Sequence, residues 1–340
     1  MNVNISINKA IGLLFLFVLI VLASAVAGYR DYSIGLDTYN YISIFLDHET
    51  SIWDAKQEVG FIALSKLIYR FGGSVEVFFT TVAFTTTSFM CMAYYKLARI
   101  ELSENVVLNV SIFFILLFFS DWYFSGLTNG LRHAAALSIL YYSLSFFRDR
   151  RIISFIFFFV LSVSFHKSVL LIIPFLLFFL LELRVLFLLF FLFSIGYYLD
   201  VNSYVIMLLS EATGIGVYDK IYNYLENTDG EQVWRGFNLS FYLYNLFWFL
   251  LPFILIRIKI IEGSEELYFI IKAFAVFSIF YFTLGFGAFS NRWAYFSWLF
   301  LPILQACLIT SFKIDIFVKV IAFPFVFLAT FYFMSRFVVW

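Results

Sequence analysis

Three basic residues stand where an apolar sequence gives them no obvious solvent. Arg132 (in SGLTNGLRHAAAL), Lys167 (in SFHKSVLL) and Arg292 (in FSNRWAYF) each open a long hydrophobic run. A charge at such a position is costly unless it has a partner or a task. A helix N-terminus already carries partial positive charge, so a cation there makes sense when an anion sits beside it. Arginine adds a two-pronged donor suited to phosphate. Carboxylates come from Asp37, in the segment YRDYSIGLDTYNY with Arg30 and Tyr41, and from Glu58. Asp37 is able to accept a proton from a sugar hydroxyl or to orient Arg30, while Tyr39 and Tyr41 are able to stack on a sugar ring. Histidine as a residue type titrates near neutrality, so His133 and His166 suit a base or a phosphate contact. Each residue also has a plainer reading. A basic side chain at a span end snorkels to the headgroups, an Asp in a loop makes an Asx turn, Glu58 caps a following helix, and a histidine is simply structural.

The elements that must position these residues are membrane spans. The chain has 340 residues, of which 63% are hydrophobic and 13% charged, a composition no soluble domain tolerates. The class is an all-α polytopic membrane protein forming a single integral membrane domain, residues 1–340. The apolar runs are long and do not alternate, which argues against a β-barrel. They predict about eleven transmembrane helices, over 9–29, 76–96, 105–120, 130–147, 152–166, 168–182, 184–200, 237–257, 267–288, 293–312 and 316–336. Residues 58–71 read as an amphipathic or re-entrant helix at the interface. Ala23-Ser24-Ala25 resembles a signal-peptidase site, but the many later spans and the single Lys9 favour a retained first helix.

Orientation follows from the short basic connections. Lys96 and Arg99, Arg148 to Arg151, Arg184, Arg257 with Lys259, and Lys313 with Lys319 are expected inside. Most carboxylates then lie outside, in two large external loops, 30–75 and 201–236. The three cations begin the fourth, sixth and tenth spans, so all face the external side, with Asn129-Gly130 capping the helix of Arg132. Formal net charge is zero, which gives no support to a nucleic-acid partner. Two cysteines, Cys91 and Cys307, lie inside apolar runs and imply neither a disulfide framework nor a thiolate metal site. Two isolated histidines make a weak metal signal, and no nucleotide-binding motif is present.

Several of these residues, in order along most of the chain, resemble the EpsG family of Wzy-like polysaccharide polymerases. They are Arg30-x4-Gly35-x-Asp37-x3-Tyr41, then Glu58-x-Gly60-Phe61, then Leu131-Arg132-His133-x-Ala135. Phe165-His166-Lys167-Ser168 with Pro174, and Arg292-x2-Tyr295-Phe296, complete the series. Position 133 departs from the family pattern, where many members carry glutamine.

The resemblance implies a glycosyltransferase of the bacterial inner membrane with GT-C-like architecture and no cofactor or metal. It would join oligosaccharide repeat units carried on undecaprenyl diphosphate, for an O-antigen or exopolysaccharide, at the periplasmic face. Donor and acceptor would both be lipid-linked, and a chain-length regulator and a flippase would be its partners. Arg132 and Arg292 are expected on the diphosphate, with Lys167 or His166 assisting. Asp37 is expected as base or acceptor contact, and Arg30, Tyr41, Glu58 and His133 as further substrate contacts. Competing readings are an O-antigen ligase using lipid A-core as acceptor, a flippase for lipid-linked oligosaccharide, and a membrane acyltransferase. The short connection at Ser290-Asn291-Arg292 disfavours the ligase, and the one-sided charges disfavour the flippase.

Overall fold

Side-chain caps set the start of several helices. Ser74, Ser120, Asn238 and Ser264 each stand just before a helix and accept a hydrogen bond from the backbone N–H three residues on, which satisfies a donor with no partner inside the helix. The computed structural model describes residues 7–47, 58–100, 106–214, 236–287 and 290–311, together with 216, 218 and 328. They form α1 (Ile7–Gly28), α2 (Thr38–Leu46), α3 (Val59–Arg70), α4 (Val75–Leu97), α5 (Val106–Phe118), α6 (Asp121–Thr128), α7 (Leu131–Arg148) and α8 (Ile152–Phe165). A 3-10 segment (Lys167–Ile172), the short α9 (Ile173–Leu176) and a second 3-10 segment (Leu177–Leu180) follow. The chain continues through α10 (Leu183–Tyr198), α11 (Val201–Thr213), α12 (Leu239–Arg257), α13 (Glu265–Leu284), α14 (Ser290–Trp298) and α15 (Leu301–Ser311).

The all-helical membrane class holds for the described residues, but the eleven expected spans do not all appear as full-length helices. Four are long and apolar enough to cross: α4, α12, α13 and the run Ser290–Ser311. Two bent pairs, α5 with α6 at 67° and α10 with α11 at 90°, raise that to six. The expected span at 152–166 is the 14-residue α8, which at 1.5 Å per residue reaches about 21 Å, short of a ~30 Å hydrocarbon core. The span expected at 168–182 breaks into 3-10 and α pieces around Pro174, whose ring disrupts a helix interior. The last expected span, 316–336, apart from Leu328, and the C-terminus lie outside the described residues. Neither large loop is mere loop: 30–75 contains α2 and α3, and 201–236 begins with α11.

The residues divide into two compact units, Met1–Leu170 with Gln305–Trp340, and Leu171–Leu304. In the first, α7 is the central helix, packed on α4 and α8. From Leu131 to Phe146 only Arg132 and Tyr142 escape full burial. Ala134, Ala135 and Ala136 let neighbours approach closely, and Ser162 of α8 donates to the Ala136 carbonyl at 2.6 Å. Close packing of small residues and such interhelical hydrogen bonds hold helices together where lipid offers no hydrophobic drive. In the second unit α13 is buried almost throughout. There the fully buried Asn245 accepts from Ser278 at 3.0 Å and from Ser297 at 2.9 Å, tying α12 to α13 and α14.

α4, α7 and α12 end alike. Just past each, a basic residue takes the left-handed conformation: Arg99 (φ 48°), Arg150 (57°) and Lys259 (60°). After α7, Arg150 N–H donates to Phe147 and Arg151 N–H to Phe146; after α12, Lys259 and Ile260 donate to Ile256 and Leu255. These are the paired bonds of a Schellman ending, a place where glycine is usual.

Candidate active site

A polar cluster gathers in the first unit where the start of α3, the start of α7 and the end of α8 meet. Its hub is Glu58, the residue before α3, 6% exposed. Its side chain makes no cap to the helix. Instead Oε2 accepts from Arg132 Nη1 at 2.5 Å, and Oε1 lies 2.8 Å from His166 Nδ1. Burial alone would push the Glu58 carboxyl up. The His166 hydrogen bond and the Arg132 guanidinium outweigh it and hold the group at about 2. Glu58 is therefore a carboxylate and can only accept, so His166 Nδ1 must carry the proton it shares. His133, one residue beyond Arg132, lays its ring 4.7 Å from that of His166, tilted by 46°.

Local packing explains why these groups meet. Gly60 lies in the first turn of α3 against Ser164 of α8: a Cβ there would fall 2.2 Å from Ser164 Oγ and 3.0 Å from its carbonyl carbon. Only glycine lets the two backbones approach so closely, and this approach carries Glu58 to His166. At the other side, Arg132 sits in the first turn of α7, with its guanidinium 5.9 Å from the Tyr41 ring centroid.

The loop between α1 and α2 is pinned beside this cluster. Leu36 N–H donates to Asn129 Oδ1 at 2.6 Å, and Tyr41 OH to the Asn129 carbonyl at 3.1 Å. Asn129 thus spends its side chain on the loop, and the residue that precedes α7 is Gly130, which offers no side-chain cap. The expected Asn129-Gly130 cap is corrected accordingly. Gly35 adopts φ +95°, and a Cβ there would lie 2.9 Å from the Thr128 carbonyl oxygen, so a side chain would be strained and crowded.

Other expected site residues separate by environment. Arg30 is buried, donating to the carbonyls of Ala27 at 2.7 Å and Ile34 at 3.4 Å, with Nη2 3.4 Å from Thr38 Oγ1. Its guanidinium lies over Phe79, 4.5 Å from the centroid, and burial pushes it down to about 10. Of the two roles open to Asp37, orienting Arg30 by a salt bridge is not the one seen: Arg30 is held by Ala27, Ile34 and Thr38 instead. Tyr41 is 4% exposed, its ring against Phe61. Asp37 is half-buried at the start of α2, with no side-chain cap. Lys167 is exposed at the start of the 3-10 segment, and Arg292 is exposed on α14 in the second unit. Sequence reasoning names Glu58 only as a second carboxylate or a cap; its bridging role depends on the Gly60 approach, for which the Glu58-x-Gly60 spacing is the available signal.

No curated protein and no solved structure matches the chain. The profile of the EpsG family matches residues 13–339, nearly the whole length. That stretch contains every helix except the first residues of α1, and every residue of the cluster just described, and the chain therefore belongs to the EpsG family, the family of Wzy-like polysaccharide polymerases.

Proposed function

We propose that this chain is a polymerase of the bacterial inner membrane that joins oligosaccharide repeat units carried on undecaprenyl diphosphate, working at the periplasmic face. The observation that carries the reading is the Glu58–Arg132–His166 cluster at the start of α7, in a chain matched throughout by a polymerase family. The reaction transfers the growing glycan from its lipid diphosphate to a hydroxyl of a second lipid-linked unit, with inversion at the anomeric carbon and without a metal. As the sugar–phosphate bond breaks, negative charge grows on the leaving diphosphate. Preorganised cations and helix N-termini stabilise such charge. Arg132 supplies the cation: Glu58 orients it, and 26% of its side chain remains accessible. Asp37 holds the acceptor by hydrogen bonding. A GT-C-like arrangement, and work alongside a chain-length regulator and a flippase, belong to the same proposal.

Deleting the gene and separating the surface polysaccharide on a gel tests it. Loss of the polymerase leaves a single repeat unit on the core. Loss of every repeat, with polymer accumulating on the lipid, is the signature of a ligase and refutes the proposal.

A further inference from the structure

We infer that His166 is the general base of the transfer and that Glu58 is the residue that positions it; this rests on the polymerase reading above. Four observations converge. Glu58 Oε1 accepts from His166 Nδ1 at 2.8 Å, and an ionised carboxylate accepts only from a protonated nitrogen. In the neutral imidazole the lone pair is then on Nε2, the form a base requires. Nε2 has no hydrogen bond among the described residues, and 25% of the His166 side chain is accessible. The backbone at His166 is extended (φ −158°, ψ 116°), where α8 has ended and the 3-10 segment has not begun. Its side chain thus belongs to a corner between two elements, held by a hydrogen bond from His166 N–H to Ser162.

The charged and titratable groups around this imidazole come from every element packed against it. Glu58 stands at the start of α3, Arg132 and His133 on α7, and Lys167 follows in the chain. Glu58 is a poor candidate for the base itself. Both its oxygens are engaged, and a carboxyl held at about 2 is weakly basic. Its geometry instead does two things at once: one oxygen fixes the imidazole tautomer and the other aims the guanidinium. Base and leaving-group cation are thereby set by a single carboxylate.

In the step, the acceptor hydroxyl oxygen forms a bond to the anomeric carbon. The bond from that carbon to the diphosphate oxygen breaks, and the electron pair leaves with the diphosphate. The hydroxyl proton passes to His166 Nε2, giving an imidazolium between Glu58 and the product, and is released to water before the next turnover. Arg132 faces the departing charge.

The test uses the full-length protein in lipid nanodiscs and repeat-unit lipids extracted from cells lacking the gene, with chain extension followed on a gel. His166→Asn keeps a side-chain N–H where Nδ1 stands and removes Nε2. The expected result is a fall in kcat of about 100-fold or more, KM within roughly twofold, and an unchanged elution profile in detergent. A kcat within about threefold of wild type overturns the inference, as does a loss confined to KM. Should the Asn variant aggregate, His166→Gln is read by the same criteria. A wild-type protein that extends no chain refutes the polymerase reading itself, whereas an active wild type beside an active variant refutes only the role of His166.

Discussion

Placing a methyl group at Gly60 should loosen the cluster from a distance. In Gly60→Ala the new Cβ falls 2.2 Å from Ser164 Oγ, 2.9 Å from Ser164 Cβ and 3.0 Å from its carbonyl carbon. The hydroxyl can swing away, giving up its 2.7 Å bond to the Leu161 carbonyl, a loss of about 1 kcal/mol. The two carbons cannot swing. Ordinary contact begins at 3.4 Å, so α3 and α8 must part by roughly half an ångström. Glu58 precedes Gly60 by two residues and His166 follows Ser164 by two, so the parting falls directly on their 2.8 Å bond. It would stretch to about 3.3 Å, beyond the range of a good charge-assisted hydrogen bond. Together with overpacking, the cost is about 1–3 kcal/mol of stability, and misplacement of a catalytic group on this scale lowers turnover roughly 10- to 100-fold. Melting in detergent followed by tryptophan fluorescence, and chain extension in nanodiscs, measure the two effects. Pairing the change with Ser164→Gly removes two of the three contacts and should restore part of each. A Gly60→Ala protein that melts and polymerises like wild type would show that the close helix approach does not set the Glu58–His166 geometry.

Glu58→Gln should cost on the order of 2 kcal/mol, allowing for the solvent around Arg132. Because the folded carboxyl is held near 2, below its ordinary 4.5, this contribution is fully present above pH 4.5 and fades as pH falls toward 2. The melting difference between wild type and variant should therefore shrink as pH falls from about 4.5 toward 2; a difference that grows over that range would contradict the assignment. In the second unit, Asn245→Ala leaves the hydroxyls of Ser278 and Ser297 without the acceptor they share. It should lower stability by about 1–3 kcal/mol, visible as a reduced melting temperature, and an unchanged melt would refute the clamp.

Much of the candidate site was legible because its residues are anomalous where they stand. Arg132, Glu58, His133 and His166 are polar groups beside apolar runs, and composition alone requires an explanation for each. Which of them pair was not legible, since Glu58 and His166 are 108 residues apart and meet where α3 packs against α8, with Gly60 at the closest approach. Arg30 shows the opposite failure. Its position beside Asp37 invites a salt bridge, yet backbone carbonyls exposed at the end of α1 and in the following turn claim its donors. Among the described residues, fewer full-length spans appear than hydropathy predicts, for a related reason. Hydropathy registers apolar length, whereas a kink at Pro174 or the corner at Asp200 (φ 59°) is a local backbone event. Such breaks turn an apolar run into short pieces without changing its composition.

The basic residues that close α4, α7 and α12 bear on how the chain enters the membrane. A non-glycine residue in the left-handed conformation costs about 1 kcal/mol relative to glycine. Glycine at 99, 150 and 259 would therefore make the finished protein more stable. It would also strip each helix end of a cation that resists translocation during insertion. Where these ends face the cytoplasm, as the proposed orientation has them, the conformation preferred by the folded protein and the charge that orients the nascent chain are in opposition. A thermostabilised variant built by the glycine rule should accordingly melt higher yet yield more molecules threaded the wrong way.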